Sequence, residues 1–332
     1  MLTLPPFQYH APTSVLEAVE LLGRHGARAK LIAGGTDLMP NMKHRLNTPE
    51  HVVALNQIAE LYAVVEKNGV LEIGSMITLA DLSRDERINR LFPSLAKGAE
   101  HVAGPQLREM GTLGGNICLD TRCVYVNQTH FWRKSLGYCL KKDGTVCHVV
   151  KSGKNCVAAA SNDTAPVLIT LGATARLASP RGMRELPLEE FYVADGVRNT
   201  VLEPDELVVS ARVPLAKPKT LMGYEKLRIR ASIDYPALTV AVAAGLDASD
   251  KLESLKIVIS ALASRPHSVK RLETFHGRAL DAATVAELGE HCKKQCHPLT
   301  NINVDPAWRR QMIPQWVKRA FDSAKAPRPL DA

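Results

Sequence analysis

Two glycine-rich turns constrain this chain more than any other feature. Gly34-Gly35-Thr36-Asp37-Leu38 directly follows a short apolar run, Lys30-Leu31-Ile32-Ala33, at what the pattern marks as a strand-to-turn junction. Gly111-Thr112-Leu113-Gly114-Gly115-Asn116 is a second turn of the same kind in a later segment. Glycine tolerates backbone conformations closed to other residues, and with no side chain it lets main-chain N–H groups approach a phosphate closely. Either turn alone would say little, since glycines often merely turn the chain; the two together point to a bound anionic ligand.

The periodicity around them predicts α/β units. Ser14-Val15-Leu16-Glu17 has capping-box form, and Val15, Ala18, Val19 and Leu22 recur on one face, so a helix is expected from about Ser14 to Leu22. A strand at His51 to Leu55 completes a small α/β unit. A second α/β unit is expected from Gly69, with a strand around Val70 to Met76 and helices near Leu79 and from Pro93 to Val102. The pattern resumes from Val157 to Ala173 and from Glu206 to Pro214, and Lys217-Pro218-Lys219 reads as a linker. Alternating runs at Met222 to Ile229, Leu238 to Gly245 and Leu255 to Ala261 predict an antiparallel sheet. Helices near Asp281 to Cys296 and Pro306 to Lys325 follow, giving an α+β C-terminal part. The expected division is 1–218 and 219–332.

Residues 119–157 interrupt this rhythm with no clear helical or strand period, and are expected to be an insertion. They contain Cys123, Cys139, Cys147 and Cys156, spaced C-x15-C-x7-C-x8-C. The start MLTLPPFQYHAP lacks signal-peptide design and no apolar stretch approaches a membrane span, so a cytoplasmic, thiol-reducing setting is expected, where structural disulfides are rare. Four thiolates suit an iron–sulfur cluster; a four-cysteine zinc loop is the alternative, although the spacing is looser than familiar zinc pairs. Cys118 is expected to be a small buried hydrophobe in a strand leaving the second turn. Cys292 and Cys296, one helical turn apart and flanked by His291 and His297, resemble a metal pair but lack evident further ligands.

Charge excludes some partners. The net charge of +8 is too diffuse for nucleic acid, which calls for Lys and Arg gathered on one element among stacking aromatics. In the insertion, however, Arg122, Arg133, Lys134, Lys141, Lys142, Lys151 and Lys154 face only Asp120 and Asp143. That is either an ordinary solvated loop surface or a docking face for an acidic electron carrier. No G-x-G-x-x-G follows a strand, which argues against a nicotinamide-dependent dehydrogenase.

Ala33-Gly34-Gly35-Thr36-Asp37-Leu38 and Thr112-Leu113-Gly114-Gly115-Asn116, joined to Ser161-Asn162-Asp163 and Tyr224-Glu225-Lys226, resemble the flavoprotein subunit of the xanthine dehydrogenase family. The resemblance spans essentially the whole chain. It implies a two-lobed FAD-binding domain of the vanillyl-alcohol-oxidase-like type, followed by a CO dehydrogenase flavoprotein C-terminal type domain of antiparallel sheet and helices. It implies FAD contacts at Leu31, Ile32, Ala33, Gly34, Gly35, Thr36, Asp37 and Leu38, and at Thr112, Leu113, Gly114, Gly115 and Asn116. Val102, Asp163, Val208 and Lys226 match further contacts. Asp120-Thr121-Arg122-Cys123, Tyr138-Cys139-Leu140-Lys141 and Cys147-His148-Val149 resemble an insertion that, in one branch of the family, holds a [4Fe-4S] cluster. The resemblance further implies partner subunits with a molybdenum cofactor and two [2Fe-2S] clusters, a dimer of heterotrimers, and ferredoxin as electron donor. Substrate chemistry would then lie on a partner, leaving no catalytic residue here.

Overall fold

A computed structural model describes residues 2–326; the outermost parts of the two expected segments, Met1 and 327–332, lie outside the described residues. Among the described residues, twelve strands form three sheets in chain order. The first sheet contains β1 (Gln8–His10), β2 (Ala29–Ile32) and β3 (His51–Ala54), all parallel in the order β1-β3-β2. Parallel strands need crossovers: the helix Val15–His25 carries the chain from β1 past the β3 position to β2, and the segment holding the helix Leu38–Lys43 joins β2 to its neighbour β3. Ser14 caps the first of these helices by accepting the Glu17 N–H, and its apolar face buries Ala18, Val19 and Leu22. The first α/β unit is as expected, with β1 as an added edge strand.

The second unit is an antiparallel sheet with helices, a pairing the strand pattern left open. Strands β4 (Val64–Lys67), β5 (Val70–Gly74), β6 (Thr174–Ser179), β7 (Gly182–Pro187) and β8 (Leu207–Pro214) pair antiparallel throughout, in the order β4-β5-β8-β6-β7. The physical reason lies in a tight turn: Asn68 and Gly69 both take positive φ, 52° and 73°, and fold β4 directly back onto β5. The expected helices, Leu79–Arg84 and Pro93–Glu100, cover this sheet together with Glu86–Leu91 and Thr164–Thr170.

The third sheet holds β9 (Thr220–Leu227), β10 (Leu238–Leu246), β11 (Leu252–Ser260) and the short β12 (His267–Ser268), antiparallel in the order β12-β11-β10-β9. Its two-residue period divides the interior. Met222, Tyr224, Ala241 and Val258 join the core beneath the second sheet. Their neighbours Val240, Val242, Ile257 and Ile259 pack with Leu288, Ile313, Val317 and Phe321 of the helices Ala282–Gln295 and Pro306–Lys325. Each such apolar side chain contributes about 1.5–3 kcal/mol by leaving water. The third sheet is thus a wall shared by two cores, which fixes the C-terminal part against the rest of the chain. Cys292 and Cys296 are buried in the outer core as small hydrophobes, with burial pushing the Cys296 thiol up to about 12.

Two local expectations are corrected. The segment leaving the second glycine turn is a helix, Leu113–Ile117, because Thr112 caps it by accepting the Gly115 N–H at 3.1 Å. The insertion contains one short helix, His130–Ser135, capped by Thr129. Six residues are too few to leave a period in the sequence. Among the described residues, no helix is long and apolar enough to cross a membrane.

Candidate functional site

A cavity of about 940 Å³ opens between the first and second units, with the third sheet contributing its floor. Fifteen of the seventeen expected contact residues line it: Leu31, Ala33 to Leu38, Val102, Thr112, Gly114 to Asn116, Asp163, Val208 and Lys226. Ile32 and Leu113 do not. Leu113 is fully buried in the core, and the Ile32 side chain packs beneath Gly35. Both alternate with cavity residues and so point the other way.

The glycines do more than expose backbone. A Cβ on Gly34 would lie 1.7 Å from the Met110 carbonyl oxygen, and one on Gly114 would lie 2.6 Å from Ser75 Cβ. Gly34 therefore lets the first turn press against the chain entering the second, so the two loops share one rim. Gly35 supplies the left-handed conformation, φ 71°, that turns the chain into the short helix Leu38–Lys43.

The floor holds a buried charge pair. Lys226 Nζ donates to Asp163 Oδ2 at 2.9 Å and to the His101 carbonyl at 2.9 Å, while the Tyr224 hydroxyl donates to Asp163 Oδ1 at 2.6 Å. Asp163 and Lys226 side chains are 3% and 1% exposed. Asp163 stands at the start of the helix Thr164–Thr170 without capping it, and Lys226 is buried although β9 is the outermost strand of its sheet. Burial raises the Asp163 carboxyl above its usual range, opposed by Lys226 and Tyr224. The Oγ atoms of Ser75 and Ser161, both on the cavity wall, are buried without a partner. Sequence inspection missed Ser75, the 197–200 loop and Tyr235; only Ser161 carried a signal, through its place beside Asp163.

A cavity near the upper end of ligand-pocket volumes, rimmed by two side-chain-free turns and carrying unpartnered hydroxyls, fits an elongated dinucleotide such as FAD.

The insertion forms a second site against this one. Cys123, Cys139, Cys147 and Cys156 all line one small apolar cavity. Cys118 is not on it; its thiol packs toward the core, and burial pushes it up to about 12. Backbone N–H groups point at three of the four sulfurs: Val150 N to Cys147 Sγ at 3.4 Å, Ala158 N to Cys156 Sγ at 3.5 Å, and Tyr125 N to Cys123. Without a bound cation, burial drives the Cys123 thiol up to about 11 and the Cys156 thiol upward too. Such donors favour thiolates, the ligating form.

Both neighbouring parts hold the insertion in place. Arg122 and Ala159 exchange backbone hydrogen bonds at 2.8 and 2.7 Å, closing its ends. From the C-terminal part, the Asn301 carbonyl accepts the Val124 N–H, its Nδ2 donates to Val157 O at 2.8 Å, and Ser264 Oγ donates to Cys156 O at 2.9 Å. Arg122, adjacent to Cys123, reaches the flavin-type cavity: it pairs with Asp37 at 2.7 Å and lies over the Tyr235 ring at 3.8 Å. Desolvation lifts the Asp37 carboxyl, with Arg122 opposing.

The basic face is smaller than its composition suggests. Arg122 is paired inward, the Arg133 side chain is 1% exposed and donates to His44 O, and the Lys141 side chain, 9% exposed, is tied to Asp120 and Gly196 O. These three cations hold the loop. Lys134, Lys151 and Lys154 are exposed, and Lys142 is half-buried beside Asp143.

Comparison with known proteins agrees with this layout. Residues 5–216 match the family described as FAD binding domain in molybdopterin dehydrogenase, and residues 223–324 match the CO dehydrogenase flavoprotein C-terminal domain. The chain is 30% identical to the carbon monoxide dehydrogenase medium chain of Hydrogenophaga pseudoflava, over 97% of this chain and 98% of that one. It is 26% identical to the xanthine dehydrogenase FAD-binding subunit of Escherichia coli O157:H7, over 96% of each. Among solved structures, a carbon monoxide dehydrogenase from Hydrogenophaga pseudoflava lacking the Mo-pyranopterin moiety of its molybdenum cofactor superposes with a TM-score of 0.81 at 29% identity, covering 98% of this chain and 100% of that one. The chain belongs to the FAD-binding subunits of the xanthine dehydrogenase and carbon monoxide dehydrogenase type of molybdenum hydroxylase, oxidoreductase subunits of dehydrogenase complexes.

Proposed function

We propose that this chain is the FAD- and [4Fe-4S]-carrying electron relay, the beta subunit, of a 4-hydroxybenzoyl-CoA reductase. In this proposal it passes electrons from reduced ferredoxin toward [2Fe-2S] and molybdenum partner subunits, where the phenolic hydroxyl is removed to give benzoyl-CoA. The observation that carries it is the convergence of four cysteines from one insertion on one cavity, tied through Arg122 to the rim of the flavin cavity. Bound FAD would accept electrons singly and store two, and a cluster beside it would deliver them one at a time.

Within this proposal the chain's own residues position the cofactors. The turns Leu31 to Leu38 and Thr112 to Asn116 would hold the FAD pyrophosphate and its surroundings, and Asp163 and Lys226 would present one fixed buried pair beneath it. Val102 and Val208 would supply apolar walls. Cys123, Cys139, Cys147 and Cys156 would hold the cluster, and Lys134, Lys142, Lys151 and Lys154 would form the face for an acidic ferredoxin. The functional division would be 1–218 for flavin and cluster and 219–332 for the brace, in a dimer of heterotrimers in the cytoplasm.

A second proposal keeps the same relay in a related dehydroxylase or hydroxylase acting on another aromatic or N-heterocyclic substrate. The name of one relative, a xanthine dehydrogenase, favours it, xanthine being an N-heterocycle. Anaerobic purification, with iron, sulfide, zinc and flavin quantitation and EPR of the dithionite-reduced sample, tests the relay. About four irons and one FAD per chain are expected, in line with a single cubane held by four thiolates, and Cys123→Ser or Cys139→Ser should lose the iron. Zinc without iron would refute the cluster. Turnover on a panel of aromatic CoA thioesters separates the two proposals.

A further inference from the structure

A cluster of three imidazoles lies outside both sites. His10 ends β1, His51 opens the adjacent parallel strand β3, and His25 ends the helix Val15–His25. All three are half-buried, and one ligating nitrogen from each lies within 4.8 Å of the other two. His10 Nε2 and His51 Nδ1 are 3.1 Å apart, and the His25 and His51 rings stack at 3.6 Å between centroids.

We propose that His10, His25 and His51 bind one divalent transition-metal ion of the zinc, copper(II) or nickel class. Two imidazoles bound to one ion at about 2.0–2.1 Å hold their nitrogens about 2.8–3.4 Å apart for angles between square and tetrahedral, and the His10–His51 separation falls inside that range. Three imidazoles without a thiol select borderline divalent ions over calcium or magnesium, and leave a fourth position to water.

The nearby cations Arg24 and Arg28 oppose a metal. Arg28 is partly compensated by Glu50 at 3.4 Å, beside His51. The ion would join two strands to one helix end at a point where the sequence holds them only by short elements. Gly26, Ala27 and Ala29, which follow His25 directly, line the flavin-type cavity. An ion at this site therefore braces that wall without touching the cavity.

The test uses the untagged, purified complex, freed of loose metal on a chelating resin. Isothermal titration with zinc chloride should show one strong site per chain. Copper(II) in its place should give an EPR signal split by nitrogen ligands. His25→Ala and His10→Ala should each weaken zinc binding at least about ten-fold, the size of effect that losing even an indirect ligand partner produces, while FAD content stays at the wild-type level. His10 is at the edge of its sheet, so His10→Ala carries the test if His25→Ala does not fold. Zinc binding of equal strength in wild type and His10→Ala, copper signals without nitrogen splitting, or no zinc taken up would each overturn the proposal.

Discussion

Gly34→Ala should open the rim between the two turns. The added Cβ would sit 1.7 Å from Met110 O and 2.4 Å from Met110 C, whereas real Cβ contacts essentially never fall below 3.0 Å. The rim must therefore open by 1.3 Å, the gap between 1.7 and 3.0 Å. Both partners are main chain, so no rotamer change relieves the clash, and Gly111 and Thr112 must move with Met110. Overpacking against a rigid neighbour costs about 1–3 kcal/mol, and this case belongs at the upper end. The second turn lines the cavity directly downstream, so its displacement also lowers FAD retention. The assay is urea unfolding followed by far-UV circular dichroism, with the FAD-to-protein absorbance ratio measured in parallel. Gly35→Ala is the control: its new Cβ meets only the Ile32 and Met39 side chains at 3.3 and 3.4 Å, and it suffers left-handed strain of about 1–2 kcal/mol. A Gly34→Ala protein within about 0.5 kcal/mol of wild type, the range of an innocuous surface change, and with full FAD would refute the close-packed rim.

Three further outcomes follow from the buried polar groups. Lys226→Met strips Asp163 of its partner and should cost about 3–5 kcal/mol at neutral pH; the raised Asp163 carboxyl takes up a proton as pH falls, so the deficit should shrink on acidification and the double variant with Asp163→Asn should recover part of it, whereas a deficit independent of pH would count against this. Glu206 is desolvated, yet Arg184 and the Glu203 N–H bring it net below its ordinary value, so its contribution is present above the unfolded carboxylate range and lost as pH falls through the folded value; Arg184→Met should reduce the acid sensitivity of the urea midpoint below about pH 4.5. Arg309→Met removes a fully buried guanidinium that donates to Ala237 O at 2.9 Å and Leu299 O at 3.0 Å, besides Ala261 O and Asn301; stranded acceptors cost about 1–3 kcal/mol each, and because Asn301 anchors both ends of the insertion, the cluster proposed for the insertion should lose iron faster in this variant than in wild type in a timed chelator assay.

Local chemistry was legible in the sequence wherever the deciding forces act within a few residues. The capped first helix, the apolar run before Gly34, the alternation in β10 and β11, and the terminal helices all follow from periodicity and capping. The glycine turns and the four cysteines announced ligand chemistry because few other pressures place those residue types together. Sequence alone could not decide the pairing of β5 with β8, which joins residues far apart in the chain. It could not separate the basic residues that hold the insertion from those that face solvent, since Arg133, Lys141 and Lys142 share one composition and differ only in burial. Nor could it bring His10, His25 and His51 together, or lay Arg122 against Asp37, because those contacts exist only once two strands pair and the insertion folds back. The sequence by itself determined which segments form elements and which residues can bind ligands. Only the tertiary structure decided which of them meet, because burial and long-range pairing are properties of the packed chain.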